Sequence, residues 1–569
     1  MEKREKKEYI RKSGIYIWLV KNKRLLCCAF VWGVPFACSC VLGWRLVSKG
    51  TVFGPGGSFA AGMGSFLLFL LQTALLSVPA AALAAVIMRG GKSKRVGKWK
   101  HDLQGRRPVW QMWLFYEIVI FLCWMPVFLA YYPSVFAYDA EGQLYQVISH
   151  DYSTHHPLLH TLFLGAFFRL GGALGSYSAG MAVHSVVQMV LMAAAFGWAL
   201  SYLYRRQIPR WIRILLLLFY GLLPANSVLA LSTTKDVLFS ALVLTFTLWM
   251  YRMICDREMW GGRKERAVFI VLAALMLLFR NNAVYAFVVS VPVVYVGIGK
   301  PARRTYLRMA LLALLLFAIG SAMLKTATHA HSGSPREMLS VPLQQMARTR
   351  VEAEEQLSPQ MRQELDHYIP SEWVFAAYHP HLADPVKNRA VIHDNPKGLI
   401  ETWVKLGLQH PAVYVDAFLD NSLGLWFLWD TSHAQVYGIG TESGFGYLST
   451  DNRTMPAGCE IVEHSFLPGL RAFMEKIVSD NEYGKLPVVR LLFAPALYWW
   501  LLYLYLAAAL YQKKYREMLP AVYLAAYYLT LLLSPTVLVR YMYPIMVTIP
   551  VILPCLMMNT QRDGCENIQ

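Results

Sequence analysis

The sequence predicts an all-α polytopic membrane protein of about 12 transmembrane helices with a mainly helical extracytoplasmic domain, and three observations predict it. Apolar residues come in long runs that repeatedly reach the ~20 residues needed to cross a bilayer. Hydrophobic residues make up 56% of the chain and charged residues only 16%, and mean hydropathy is +0.37; soluble domains carry about 25% charged residues. Basic residues gather in six short stretches between apolar runs. Positions 1–24, 89–108, 204–213, 252–266, 298–308 and 512–518 hold 33 of the 54 Lys and Arg. Such stretches recur in the phase of cytoplasmic loops, which retain positive charge. The net charge of +19 therefore reflects topology and excludes a nucleic-acid footprint.

Working outward from those loops, spans are predicted near 25–47, 63–88, 109–131, 178–203, 213–231, 236–252, 267–280, 283–297, 309–325, 488–511, 519–535 and 541–558. Both termini are then cytoplasmic, in a multi-pass plasma-membrane protein. The first apolar run follows a basic start but is too long for a signal-peptide core, so it reads as an uncleaved first helix. Two intervening segments are too long to be turns. The first, 132–177, has no Lys or Arg before Arg169. Its apolar part from Pro157 is too short to cross and is predicted to lie along the interface or re-enter, with Pro157 at a helix start. The second, 326–487, carries 20 acidic and 12 basic residues and is large enough for its own core. Helical periodicity marks 362–368, 399–408, 412–428 and 470–478, with glycine-rich turns at 438–446. The chain thus divides into a transmembrane module at 1–325, an extracytoplasmic domain at 326–487, and C-terminal helices with a tail at 488–569. Of nine cysteines only Cys459 falls in the external domain, so that domain has no internal disulfide.

Charged residues inside apolar segments cost about 2.5–3.5 kcal/mol at a helix centre, so each requires an account. Here the polar residues fall at turns on the outer side. Asp139 and Glu141 lie in the first external loop, and His155 and His156 precede its short apolar helix. Lys235 and Asp236 stand between spans five and six, Arg280 and Asn281 between seven and eight. Gln344 and Arg348 follow span nine, and Arg540 with Tyr541 marks the turn between eleven and twelve. Each has an ordinary reading beside the functional one. Thr233 to Asp236 fits a helix-capping box with Lys235 snorkelling, and Arg280 and Arg540 fit headgroup anchors. His156 and His160 are spaced to share a metal but lack a third ligand at fixed spacing, so no metal ligand is assigned. Asp139 stands out because no Lys or Arg accompanies it between Tyr131 and Arg169. Without a resident cation, a partly desolvated carboxylate is expected to keep enough basicity to accept a proton at neutral pH.

The residues YPSVFAYDAEGQ…HHPLLH, TTKD, LFRNN, SVPLQQMAR and VRYMYP resemble the GT-C superfamily of membrane glycosyltransferases, in a bacterial group of unassigned substrate. The resemblance covers most of the membrane region, with two additional spans before the first large loop. It implies a catalytic acidic residue in that loop and a polyprenyl-phosphate-sugar donor entering from the bilayer. The acidic residue maps to Asp139 or Glu141; the choice stays open because Asp139-Ala140-Glu141 replaces an adjacent acidic pair. The implied function is transfer of the sugar to an extracytoplasmic acceptor by one inverting displacement, with the carboxylate as general base. Membrane lipid, donor and acceptor are the implied partners. Lys235, Arg280 or Arg540 would stabilise the phosphate. The remaining substrate-binding candidates are His155, His156, Asp236, Asn281, Gln344, Arg348 and Tyr541. A divalent cation is compatible with these residues and not required by them. Two other classes compete, a transporter or lipid flippase and a cell-surface glycan polymerase or ligase. Polar residues at the outer face instead of the midplane, and the lack of an inverted repeat, weigh against transport. The external domain is expected to cover the mouth formed by 132–160.

Overall fold

A computed structural model describes residues 20–52, 63–90, 107–136, 138–392, 394–429, 458–478 and 486–556. Among the described residues the regular structure is helical, and β pairing is limited to isolated bridges such as Val135 with Ser232. A bilayer offers no water to the backbone, so apolar runs satisfy their N–H and C=O groups within helices.

The N-terminal part contains α1 (Lys23–Lys49), α2 (Met63–Gly90), α3 (Val109–Ala130), α4 (Tyr138–Ser149), α5 (Leu158–Ala173) and α6 (Tyr177–Arg205). It continues with α7 (Arg210–Leu222), α8 (Pro224–Leu231), α9 (Asp236–Cys255), α10 (Arg263–Phe279), α11 (Ala283–Gly297) and α12 (Lys300–Thr328). Each predicted span falls on a helix or a broken pair of helices. Among the described residues six helices, α1, α2, α3, α6, α9 and α12, are long and apolar enough to cross a membrane, and the count is seven if the bent pair α7–α8 forms one span. That pair bends by 49° where Pro224 opens α8, since proline cannot donate to the preceding turn. Pro157 caps α5 at its start, as the sequence predicts.

The insert follows with α13 (Ser340–Ala353), α14 (Pro359–Tyr368), α15 (Ser371–Ala377), α16 (Asp384–Arg389), α17 (Pro396–Gln409), α18 (Pro411–Asn421), α19 (Leu423–Trp426) and α20 (Pro468–Val478). It has its own core, built on Leu343, Met346, Leu365, Leu399 and Leu406. The helix predicted over 412–428 is in fact broken after Asn421. The Ser422 hydroxyl donates to Phe418 O and accepts from Trp426 Nε1, a side-chain competition that ends helices. Beyond the break the chain turns back into the bundle. Trp426 O accepts from Trp500 Nε1, Leu425 O accepts from the Tyr528 hydroxyl, and Trp429 lies 6.3 Å from Phe36 in the middle of α1. The segment 326–487 is therefore partly threaded into the apolar core. The glycine-rich turns at 438–446, the basic residues 91–106 and residues 1–19 lie outside the described residues. The C-terminal part comprises α21 (Pro487–Phe493), α22 (Pro495–Gln512), α23 (Leu519–Leu531) and α24 (Val539–Cys555).

The helix ends sort into two groups. At one end Arg24 donates to the Tyr515 hydroxyl, Arg213 to the Tyr116 hydroxyl, Arg303 to Ile298 O and Lys514 to Leu556 O. At the other end, the turns near 52, 132, 154, 232, 281 and 534 meet one another and the insert. The described residues of the basic stretches thus share one end, and the candidate polar turns share the opposite one.

Candidate functional site

The segment after α3 is held against the start of α9 by backbone pairing. Val135 N donates to Leu231 O, Thr233 N to Val135 O, and the Ser134 hydroxyl to Leu231 O. From inside α6, Gln188 Nε2 donates to Ala230 O and Ser232 O, and Ser185 Oγ to Pro133 O. These bonds set the first turn of α4 opposite the Thr234-Lys235-Asp236 corner. A second brace joins α4 to α5, where Gln143 Nε2 lies 2.8 Å from Thr161 Oγ1 and 3.1 Å from His160 Nδ1.

The consequence is an ionic cluster assembled from four distant segments. Lys235 Nζ meets Asp139 Oδ2 at 2.5 Å, and the two side chains retain only 14% and 17% exposure. Arg540 Nη1 lies 3.6 Å from the same carboxylate oxygen, and its Nε lies 3.9 Å from Asp236 Oδ2. Arg540 Nη1 also donates to Thr234 Oγ1 at 3.3 Å. Fully buried Asp236 is paired with Arg280 through Oδ1 and accepts from the Thr234 hydroxyl at Oδ2. Arg280 Nε donates to Asn282 Oδ1 at 2.8 Å, and its guanidinium covers the Tyr541 ring at 4.9 Å. Arg540 stands 5.3 Å from the same ring centroid. Three cations face two carboxylates, so the cluster carries a net positive charge.

This arrangement corrects the expectation that Asp139 has no cation. The loop lacks one in sequence, but Lys235 and Arg540 supply two through the fold. Burial favours the protonated form of Asp139, yet Lys235 and Arg540 outweigh it and hold its pKa well below the usual carboxylate range. Burial lowers the Lys235 pKa, with Arg540 and Arg280 adding to that effect and Asp139 opposing it. His156 is pushed down to about 3 by burial and then by the Lys235 charge, against the pull of Asp139, so it is neutral at pH 7. In this cluster Asp139 is a carboxylate anion and a weak base.

Other predicted residues are placed differently. Glu141 sits two positions further along α4, and residues so spaced do not share a helix face. Within the Thr233 to Asp236 turn, Thr234 binds both Asp236 and Arg540. His155 is exposed, its ring packing on His156 at 4.5 Å. Asn281 ties the α10–α11 turn to the loop before α5, donating to Thr154 O and His155 O. Gln344 and Arg348, expected to bind substrate, are instead buried in structural bonds. Gln344 binds His379 O, while Arg348 is paired with Asp420 and Glu352 and binds Gly50 O. Gln344 thereby ties α13 to the turn between α15 and α16, and Arg348 joins α13 to α18 and to the end of α1. The cluster also includes residues that sequence reasoning missed. Thr234 is one, and Tyr527 is another, its ring 5.7 Å from the Arg280 guanidinium. A tyrosine within an apolar run carries no distinguishing signal. The insert rests on the turn just before Arg540, with Ala383 N donating to Pro535 O and Asn421 Nδ2 to Ser534 O.

Among the described residues, no group of three or more His, Cys, Asp or Glu side chains is arranged to hold a metal ion.

A model of a family of unknown function, DUF6020, matches residues 149–568, which is 420 of the 569 residues. The chain belongs to this family. The DUF6020 match includes Lys235, Asp236, Arg280 and Arg540, whereas Asp139 and Glu141 precede it. No curated protein and no solved structure matches the chain.

Proposed function

We propose that this DUF6020 member is a membrane glycosyltransferase that takes a sugar from a polyprenyl-phosphate donor and transfers it to an extracytoplasmic acceptor. The observation that carries the reading is the contact of Asp139 with both Lys235 and Arg540 at one end of an apolar helical bundle. That end lies opposite the basic stretches, so the positive-inside rule assigns it to the outer face of the cell membrane, with the bundle crossing about 12 times. A lipid-linked phosphate presents its charge at this depth, and a net cationic cluster suits it.

In this reading the donor phosphate engages Lys235 and Arg540, and the resulting negative charge relieves Asp139 of its cations. The carboxylate then regains basicity as the phosphate binds. The acceptor oxygen attacks the anomeric carbon, the bond from that carbon to the phosphate oxygen breaks, and the hydroxyl proton passes to Asp139. Polyprenyl phosphate leaves as an anion held by Arg540 and Lys235. Asp236 keeps Arg280 and Arg540 in fixed orientations.

The test is transfer from a polyprenyl-phosphate sugar in membranes bearing each variant at matched protein level. Asp139→Asn is expected to fall by about 10²-fold or more, with Glu141→Gln milder. Loss in Glu141→Gln with full activity in Asp139→Asn would move the base by two residues. Full activity in both would overturn the mechanism, and lipid movement across vesicles without any glycosylated product would favour a flippase.

A further inference from the structure

The insert carries an apolar face that its own core does not use. On α17, Leu399, Thr402 and Leu406 point inward and are buried. On the other side Ile400, Val404 and Leu408 are exposed at 43%, 46% and 79%. They stand four residues apart and form one stripe along the helix. Lys397 and Lys405 flank the stripe and are largely exposed, each 3.8 Å from a carboxylate, Glu401 and Glu364 respectively. Beyond His410, α18 exposes Val415, while Leu419 packs on the hydrophobic core of the bundle.

The position of α18 identifies the level of this face. Asp416 accepts from Thr51 Oγ1 at 2.5 Å and from Val52 N at 2.9 Å, immediately beyond the C-terminal end of α1. One turn later Asp420 is joined through Arg348 to Gly50 O. Two successive turns of α18 therefore engage the same end of a membrane helix, so α18 runs along that boundary. The last turns of α1 expose Trp44 and Val47. The helix that bears the stripe is thus followed directly by one fixed at the end of α1 that exposes these apolar residues.

We propose that α17 and the start of α18 lie on the bilayer surface, with Ile400, Val404, Leu408 and Val415 among the lipid chains and Lys397 and Lys405 at the headgroup phosphates. This mode of contact anchors the insert over the polar end of the bundle, and it does not depend on the transferase reading.

The experiment uses the full-length chain, its native cysteines replaced by serine, in vesicles of phosphatidylethanolamine and phosphatidylglycerol. A nitroxide label is placed in turn at Val404→Cys, Leu408→Cys and Gln360→Cys, the last on exposed α14. Collision with oxygen, which concentrates in lipid, is compared with collision with a water-soluble nickel complex. Labels at 404 and 408 are expected to meet oxygen and exclude nickel, with the reverse at 360. Nickel access at 404 and 408 would mean a hydrated face and overturn the proposal. Exclusion of both reagents would also overturn it, in favour of contact with a second copy of the chain.

Discussion

Arg540 reaches three partners at once, the carboxylates of Asp139 and Asp236 and the Thr234 hydroxyl. A planar guanidinium with several donors can do this, whereas a lysine offers a single point charge. Arg540→Lys is accordingly expected to retain charge and lose one charge-assisted contact, each worth about 1.5–3 kcal/mol. On the proposed function, kcat/KM for the lipid-phosphate donor should drop by about 10-fold or more. Unchanged donor kinetics would remove Arg540 from the phosphate site. His156 supplies a separate test that needs no substrate. Its folded pKa of about 3 lies below the ordinary value of 6.5, so below pH 6.5 the unfolded chain binds the proton more readily. Stability from this group is full above pH 6.5 and is lost as pH falls from there towards 3. Thermal unfolding in detergent between pH 7 and pH 4 should therefore be less acid-sensitive in His156→Gln than in the parent. Equal slopes would show that His156 does not contribute. These residues also mark how far the sequence is legible. Asp139 was recognisable from its place after an apolar run, but its partner Lys235 is 96 positions away. Nothing in the local sequence distinguishes a snorkelling lysine from one turned onto a carboxylate.

At the scale of elements, α18 is the part that couples the insert to the membrane helices. Arg348 is buried between Asp420, Glu352 and Gly50 O. Arg348→Met would leave the Asp420 carboxylate buried without its cation, a change that costs about 3–5 kcal/mol. The expected result is a lower unfolding temperature and faster proteolysis of 340–421, with α1 to α12 still inserted. If Arg348 instead bound substrate, stability would be unaffected and only turnover would change. The sequence could place Arg348 near the membrane because span nine ends nearby. It could not reveal that the side chain is consumed by helix packing, since a polar residue following a span reads the same way whether it faces a ligand or a buried carboxylate. Helix periodicity fared better. The patterns at 362–368, 399–408 and 470–478 fall within α14, α17 and α20, because amphipathic spacing is a local property of the chain. The pattern at 412–428 predicted one helix where the fold makes two, since Ser422 and the indole of Trp426 bond each other only in the folded state.

For the whole molecule, the proposed topology assigns the cluster and the insert to the outer side and the basic stretches to the inner side. Gln360→Cys on exposed α14 should then react with a membrane-impermeant thiol reagent added to intact cells, and Arg95→Cys should not. Labelling at 95 alone would invert the assignment and place the proposed acceptor chemistry on the wrong side of the membrane. The membrane character, the order of the apolar helices and their shared polar end follow from composition and from the alternation of basic stretches, both properties of the linear sequence. They hold because hydrophobic length and loop charge act on each segment locally. The tertiary structure decided which charges meet. It brought Lys235 and Arg540 onto Asp139, closed Arg280 on Asp236, committed Gln344 and Arg348 to packing, and drew 423–429 into the bundle. Side-chain pairing between distant segments depends on how the helices pack together, and local hydropathy does not encode that packing.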